Sequence, residues 1–125
     1  MQYLLKKIWP FVCLALLVGC GDYEQKICGE YRLTRCNATE VRISRPNGYQ
    51  TMINGNIENY AVRDPYITGY ANTNNLDVSS EPRAKEGYFL LNTSNDNRLE
   101  AMTESEWKVE LQKINWPSPK LNPPR

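Results

Sequence analysis

The chain has 125 residues, with 15 basic and 14 acidic side chains, eight tyrosines and no histidine. The near-neutral balance argues against general nucleic-acid binding, which needs a clearly basic footprint. The missing histidine removes Ser-His and Cys-His nucleophile pairs, the commonest zinc ligand and the usual general base near neutral pH.

The first residues read as a secretory leader over 1–19. Lys6 and Lys7 precede the apolar run Ile8–Val18, and small residues lead up to Cys20. Eleven apolar residues interrupted by Pro10 fall short of the roughly 20 that cross a bilayer. Cleavage is therefore expected, with a retained N-terminal membrane anchor as the alternative. Leu17-Val18-Gly19-Cys20 resembles the bacterial lipobox, with Leu at −3 and a small residue before the cysteine. That resemblance implies cleavage before Cys20 and acyl chains on its thiol and amino group. Each buried methylene contributes about 0.8 kcal/mol, so two or more chains anchor stably where one would not. Gly21 stands where lipoproteins held in the inner membrane of enteric bacteria carry Asp, which implies the outer membrane and its periplasmic face; Asp22 follows one place later.

Cleavage takes 19 of the 125 residues and leaves 106, with 13 basic and 14 acidic side chains. One small domain suits that length. Cys13 leaves with the leader and Cys20 is acylated, so Cys28 and Cys36 remain. In an oxidising periplasm these two are expected to pair, contributing somewhat under ~3 kcal/mol for so short a loop. A metal site is the alternative, but two thiols without histidine make an incomplete ligand set. No metal and no cofactor beyond the lipid on Cys20 is expected.

Residues 20–28 are expected to be the acylated cysteine and a polar tether, and 29–115 a single domain. Glu30–Cys36 and Glu40–Arg45 alternate, with Tyr31 and Leu33 on one face and Val41 and Ile43 on the other strand's matching face. A hairpin that joins these faces sets Leu33 opposite Val41, Tyr31 opposite Ile43 and Arg32 opposite Arg42. A straight strand from Cys28 to Cys36 would separate their Cα atoms by about 26 Å, against about 7 Å for a disulfide. Pairing of the cysteines therefore requires reversal at Gly29 and a short, distorted first strand. Pro46-Asn47-Gly48 and Asn54-Gly55 are turn signals.

Tyr49–Ile53, Ile57–Val62 and Tyr66–Ala71 read as strands, the last two separated by a turn at Asp64-Pro65. Tyr66, Thr68 and Tyr70 share one face. Asn72–Glu86 is a long polar connection. Gly87–Leu91, apolar without alternation, predicts a central strand covered on both faces, and Ser94–Asn97 a turn. Thr103-Glu104-Ser105-Glu106 matches a capping box. Trp107, Leu111 and Ile114 then form the stripe of a helix lying on the sheet, with Glu104 and Lys108 paired at i, i+4. Four prolines in the ten residues from Trp116 predict an extended tail over 116–125.

Two pairs of residues are candidates for binding. Arg32 and Arg42 would place like charges across a hairpin, which is unfavourable; an anionic partner, or Glu30 and Glu40 nearby, would neutralise them. Tyr66 and Tyr70 belong to a tyrosine-rich set of the kind that meets partners, or that simply edges a small sheet. Paired carboxylates can cut glycosidic bonds, but nothing pairs them in this sequence, and no catalytic residue is named. The sequons at Asn37 and Asn92 matter only in a eukaryotic secretory route.

From Gly29 to Leu121 the order of motifs resembles a family of short, uncharacterised bacterial lipoproteins. The motifs are Gly-x-Tyr-x-Leu at Gly29–Leu33, Tyr-Ile-x-Gly at Tyr66–Gly69, the strand Gly87–Leu91, and Thr103–Trp107. The resemblance implies an architecture and no activity. The expected fold is α+β, a small antiparallel meander of four to six short strands with one C-terminal helix packed on it. The expected role is a non-enzymatic envelope lipoprotein, a membrane-anchored binding or accessory module with a protein partner, and an inhibitor, immunity or exclusion factor as its subtype. The alternative is a structural subunit of a secretion or conjugation complex that uses the proline-rich tail.

Overall fold

The computed structural model of the protein describes residues 24–35, 40–45, 51–74 and 85–124. The leader, Cys20, Cys36, the turn at Pro46-Asn47-Gly48 and the middle of the 72–86 connection lie outside the described residues.

Three strands, β1 (Glu24–Cys28), β2 (Tyr31–Arg35) and β3 (Val41–Ser44), form an antiparallel sheet in chain order. Gly29 makes the reversal between the first two at φ +54°, a conformation open to a residue without a Cβ. Glu24–Cys28, expected to be tether, is thereby an edge strand against β2, with Cys28 opposite Tyr31. Leu33 faces Ile43 and Arg35 faces Val41, while Arg32 faces Ser44 and Thr34 faces Arg42. The apolar faces coincide as expected, but the register differs by two residues and the Arg32–Arg42 opposition is not formed. Alternation specifies which face a side chain takes and leaves a two-residue slip open.

The expected Cys28–Cys36 disulfide involves Cys36, which lies outside the described residues. Cys28 is a buried free thiol at the turn end of the hairpin. From there β2 carries the chain away to Arg35, about 13 Å along the strand. The Cys28 sulfur faces Asp64 Oδ1 at 3.7 Å and Thr93 Oγ1 at 3.6 Å.

A second antiparallel sheet follows in chain order: β4 (Asn56–Arg63), β5 (Tyr66–Asn72), β6 (Gly87–Asn92) and β7 (Asn97–Met102). The strand expected at Tyr49–Ile53 is reduced, among its described residues, to one bridge between Thr51 and Ser44. Met52 and Ile53 are both buried in succession, which an alternating strand does not allow, and the chain bends through Asn54-Gly55 to cross between sheets. Val41 N–H donates to the Asn56 side chain at 2.8 Å and ties the crossing to the first sheet.

Leu33, Ile43, Ile53, Ile67, Phe89 and Leu91 are among the residues that fill the space between the sheets. Full burial of such side chains contributes about 1.5–3 kcal/mol each. β6 lies inside its sheet and is covered on both faces, with Phe89 and Leu91 toward the first sheet and Leu90 toward the helix.

The helix α1 (Glu104–Lys113) starts with the expected capping box, Thr103 and Glu106 each accepting from the other's backbone N–H. Lys108 pairs with Glu104 at 3.1 Å. Trp107 and Leu111 are buried on Leu90 and Met102. The Trp107 ring stacks on Tyr88 at 4.2 Å and 13°, and its Nε1–H donates to Thr68 Oγ1 at 2.8 Å. The molecule is therefore α+β in three layers: a three-stranded sheet, a four-stranded meander and one C-terminal helix. Among the described residues no helix is long and apolar enough to cross a membrane.

The proline-rich tail is extended, as expected, and it is docked. Trp116 and Leu121 pack on the helix cluster, and Asn122 exchanges two backbone hydrogen bonds with Tyr60 at 2.9 and 3.0 Å.

Candidate functional site

Beside that docked tail lies an open groove of about 890 Å³, within the size range of ligand sites. Gln25 of β1, Tyr60 and Arg63 of β4, and Trp116, Lys120 and Asn122 of the tail are among its walls. Its geometry follows from the local sequence. The last carbonyls of a helix lack intrahelical donors and carry partial negative charge. Arg63 at the end of β4 meets them, donating to Asn115 O at 2.8 Å and Ile114 O at 3.4 Å. Its guanidinium lies 5.7 Å from the centre of the Trp116 ring, within reach of a cation–π contact. Pro117 and Pro119 offer no backbone donor, so the tail crosses the groove without pairing until Asn122.

Among the described residues the groove lining holds two cations, Arg63 and Lys120, and no carboxylate. Arg63 is held by carbonyls and a ring rather than by an acid. Lys120 is exposed and enters no ion pair among the described residues.

The residues singled out in the sequence lie elsewhere, in two separate places. Arg32 and Arg42 project from the outer face of the three-stranded sheet, away from Leu33 and Ile43. Arg42 is buried and paired with Glu40 at 2.8 Å; Arg32 pairs with Glu24 at 2.9 Å, while its Nε is buried without a partner. Neutralisation by a neighbouring acid was foreseeable for Arg42; Glu24 was hidden in the presumed tether.

Tyr66 and Tyr70 stand on the far side of the second sheet, facing the helix layer. Tyr66 packs into the helix cluster, and Tyr70 meets Tyr88 edge-on at 4.9 Å and 76°. Burial raises the Tyr70 phenol above its ordinary value, and the charge and hydrogen bond of Glu86 add to this. With the whole inter-sheet core between them, the arginines and tyrosines do not form one site. Arg45 and Tyr31 both bind Asp96, Arg45 at 2.7 Å, and this ties the rims of the two sheets together.

Sequence reasoning missed the groove. Its one legible signal was an aromatic and a lysine, Trp116 and Lys120, inside a proline-rich run; Arg63 carried none. Among the described residues no three of His, Cys, Asp or Glu gather as a metal site. Comparison with family models, with curated proteins and with solved structures finds no match to the chain.

Proposed function

We propose that the chain is a bacterial envelope lipoprotein, acylated at Cys20, whose small domain is a non-enzymatic binding or accessory module at the periplasmic face of the outer membrane. The observation that carries this is Leu17-Val18-Gly19-Cys20 behind the basic and apolar leader. β1 adds a constraint. Three residues, Gly21 to Tyr23, separate Cys20 from Glu24, and fully extended they span no more than about 14 Å. A module on so short a leash works against the lipid surface and meets partners that come to that surface. An inhibitor, immunity or exclusion factor, which blocks an incoming protein at the membrane, suits such a position.

The ion pairs support a binding role over hydrolysis. Glu24, Glu40, Asp96, Glu104 and Glu110 each lie 2.7–3.1 Å from an arginine or lysine, whereas glycoside hydrolysis needs one carboxyl kept protonated beside a second, ionised one.

The test is metabolic labelling with a palmitate analogue in a Gram-negative host, followed by membrane fractionation. Labelled wild type in the outer-membrane fraction, with Cys20→Ala unlabelled and retained as the longer precursor, is the expected result. An unlabelled wild type refutes the assignment. Crosslinking in intact cells then reads the partner, and repeated crosslinking that enriches no protein refutes the binding role.

A further inference from the structure

We infer that the groove between β4 and the tail is the membrane-apposed face of the domain, and that its Lys120 and Arg63 engage the phosphates of anionic phospholipids while Trp116 sits at the headgroup level. The placement rests on acylation of Cys20 as proposed above.

Position comes first. Gln25 forms part of the groove wall and stands one residue into β1. Five residues beyond Cys20, it lies within about 18 Å of the acylated cysteine at full extension. The leash therefore holds this wall of the groove within reach of the bilayer.

Charge comes second. The mature sequence carries 13 basic and 14 acidic residues, yet among the described residues the groove lining carries two cations and no carboxylate. Many cations elsewhere are spent on acids, including Arg32, Arg42, Arg45, Lys108 and Lys113. Among the described residues Lys120 enters no ion pair, and Arg63 is held by carbonyls and a ring rather than by an acid. Cations beside a lipid surface are attracted to anionic headgroups within a Debye length.

Shape and polarity come third. Trp116 is half-buried, with the Arg63 guanidinium 5.7 Å from its ring centre, and tryptophan favours the membrane interface, where one edge is apolar and the other wet. Tail prolines and exposed Val62 add apolar surface beside it. The groove thus offers a phosphate-binding pair around an interfacial aromatic.

The test uses the mature acylated protein, purified in detergent and reconstituted into vesicles of phosphatidylglycerol and phosphatidylethanolamine whose acyl chains carry bromine near the headgroup. Intact mass first establishes the acyl chains on Cys20. After loss of the leader with Trp9, the remaining tryptophans are Trp107 and Trp116, and Trp107 is buried. Bromine should quench Trp116, docking should shield it from aqueous iodide, and Trp116→Phe should remove the quenchable emission. Lys120→Gln, or phosphatidylcholine in place of phosphatidylglycerol, should lower the docked-to-undocked ratio, by roughly fivefold for the lysine.

Circular dichroism confirms that the variants are folded, and the wild-type pattern stands without them. An acylated protein whose Trp116 is open to iodide and untouched by bromine overturns the inference and leaves the groove to a soluble ligand. Absence of the acyl mass overturns the anchor itself, a separate result that removes the placement with it.

Discussion

Thr68→Val removes one hydroxyl from the centre of the fold and nearly nothing else. Thr68 is 0 % exposed. Its oxygen accepts from Trp107 Nε1–H at 2.8 Å and donates to Phe89 O at 2.6 Å, so it links the helix to two strands. Valine fills the same space, which excludes a cavity as the cause of any effect. The substitution strands an indole N–H in the interior, at a cost of about 1–3 kcal/mol. Taking about 2 kcal/mol, a domain of this size loses roughly 8–16 °C in Tm. Calorimetry and urea unfolding of the mature protein read the loss. Trp107→Phe completes a double-mutant cycle: with the donor already gone, Thr68→Val should cost about 1 kcal/mol less than in wild type. A neutral Thr68→Val, or an equal cost in both backgrounds, would show that the hydroxyl contributes shape and no hydrogen bond.

Gly69→Ala should destabilise by about 1–3 kcal/mol or prevent folding, because a Cβ there would lie 2.1 Å from Asn59 O and 2.9 Å from Tyr60 Cα at the β4 bulge; an unchanged urea midpoint contradicts that contact. Thr103→Ala removes the N-cap acceptor of α1 and should cost about 1 kcal/mol, seen as lost helical ellipticity. Hydrogen bonds from Thr103 hold Glu106 below its ordinary range. Its contribution is therefore complete above the unfolded value of about 4.3 and lost as pH falls through the lower folded value; Glu106→Gln should abolish that acid limb. Alkylation of the denatured, unreduced protein should recover Cys28 as a labelled thiol, and a crosslinked Cys28–Cys36 peptide would refute the free-thiol assignment.

The two strands hidden in the sequence are both sheet edges. β1 begins Glu-Gln-Lys and β7 begins Asn-Arg-Leu-Glu, each mostly exposed, so neither shows the alternation that burial of one face imposes. With them, and without the strand expected at Tyr49–Ile53, the described strands number seven in two sheets, and the tether becomes part of one of them. β5 and β6 were legible because Ile67, Phe89 and Leu91 must be buried, and α1 because its cap and stripe are local. The split into two sheets was not legible: Asn54-Gly55 marks a turn, but nothing local says that the chain leaves one sheet for another there. Arg32 and Arg42 were placed on the correct face and in the wrong register. The groove escaped because it joins β1, β4 and the tail, which only the tertiary fold brings together.

The pairing of Asn122 with Tyr60 also has a meaning in time. Half the chain separates the two residues, and synthesis delivers the N-terminal side first. Until the last stretch arrives, the outer edge of β4 offers unpaired N–H and C=O groups that any other extended chain can use. The newborn protein is thus most exposed to wrong pairing after its sheets have formed and before its final residues are free, and a chain stopped short of Asn122 stays in that state permanently.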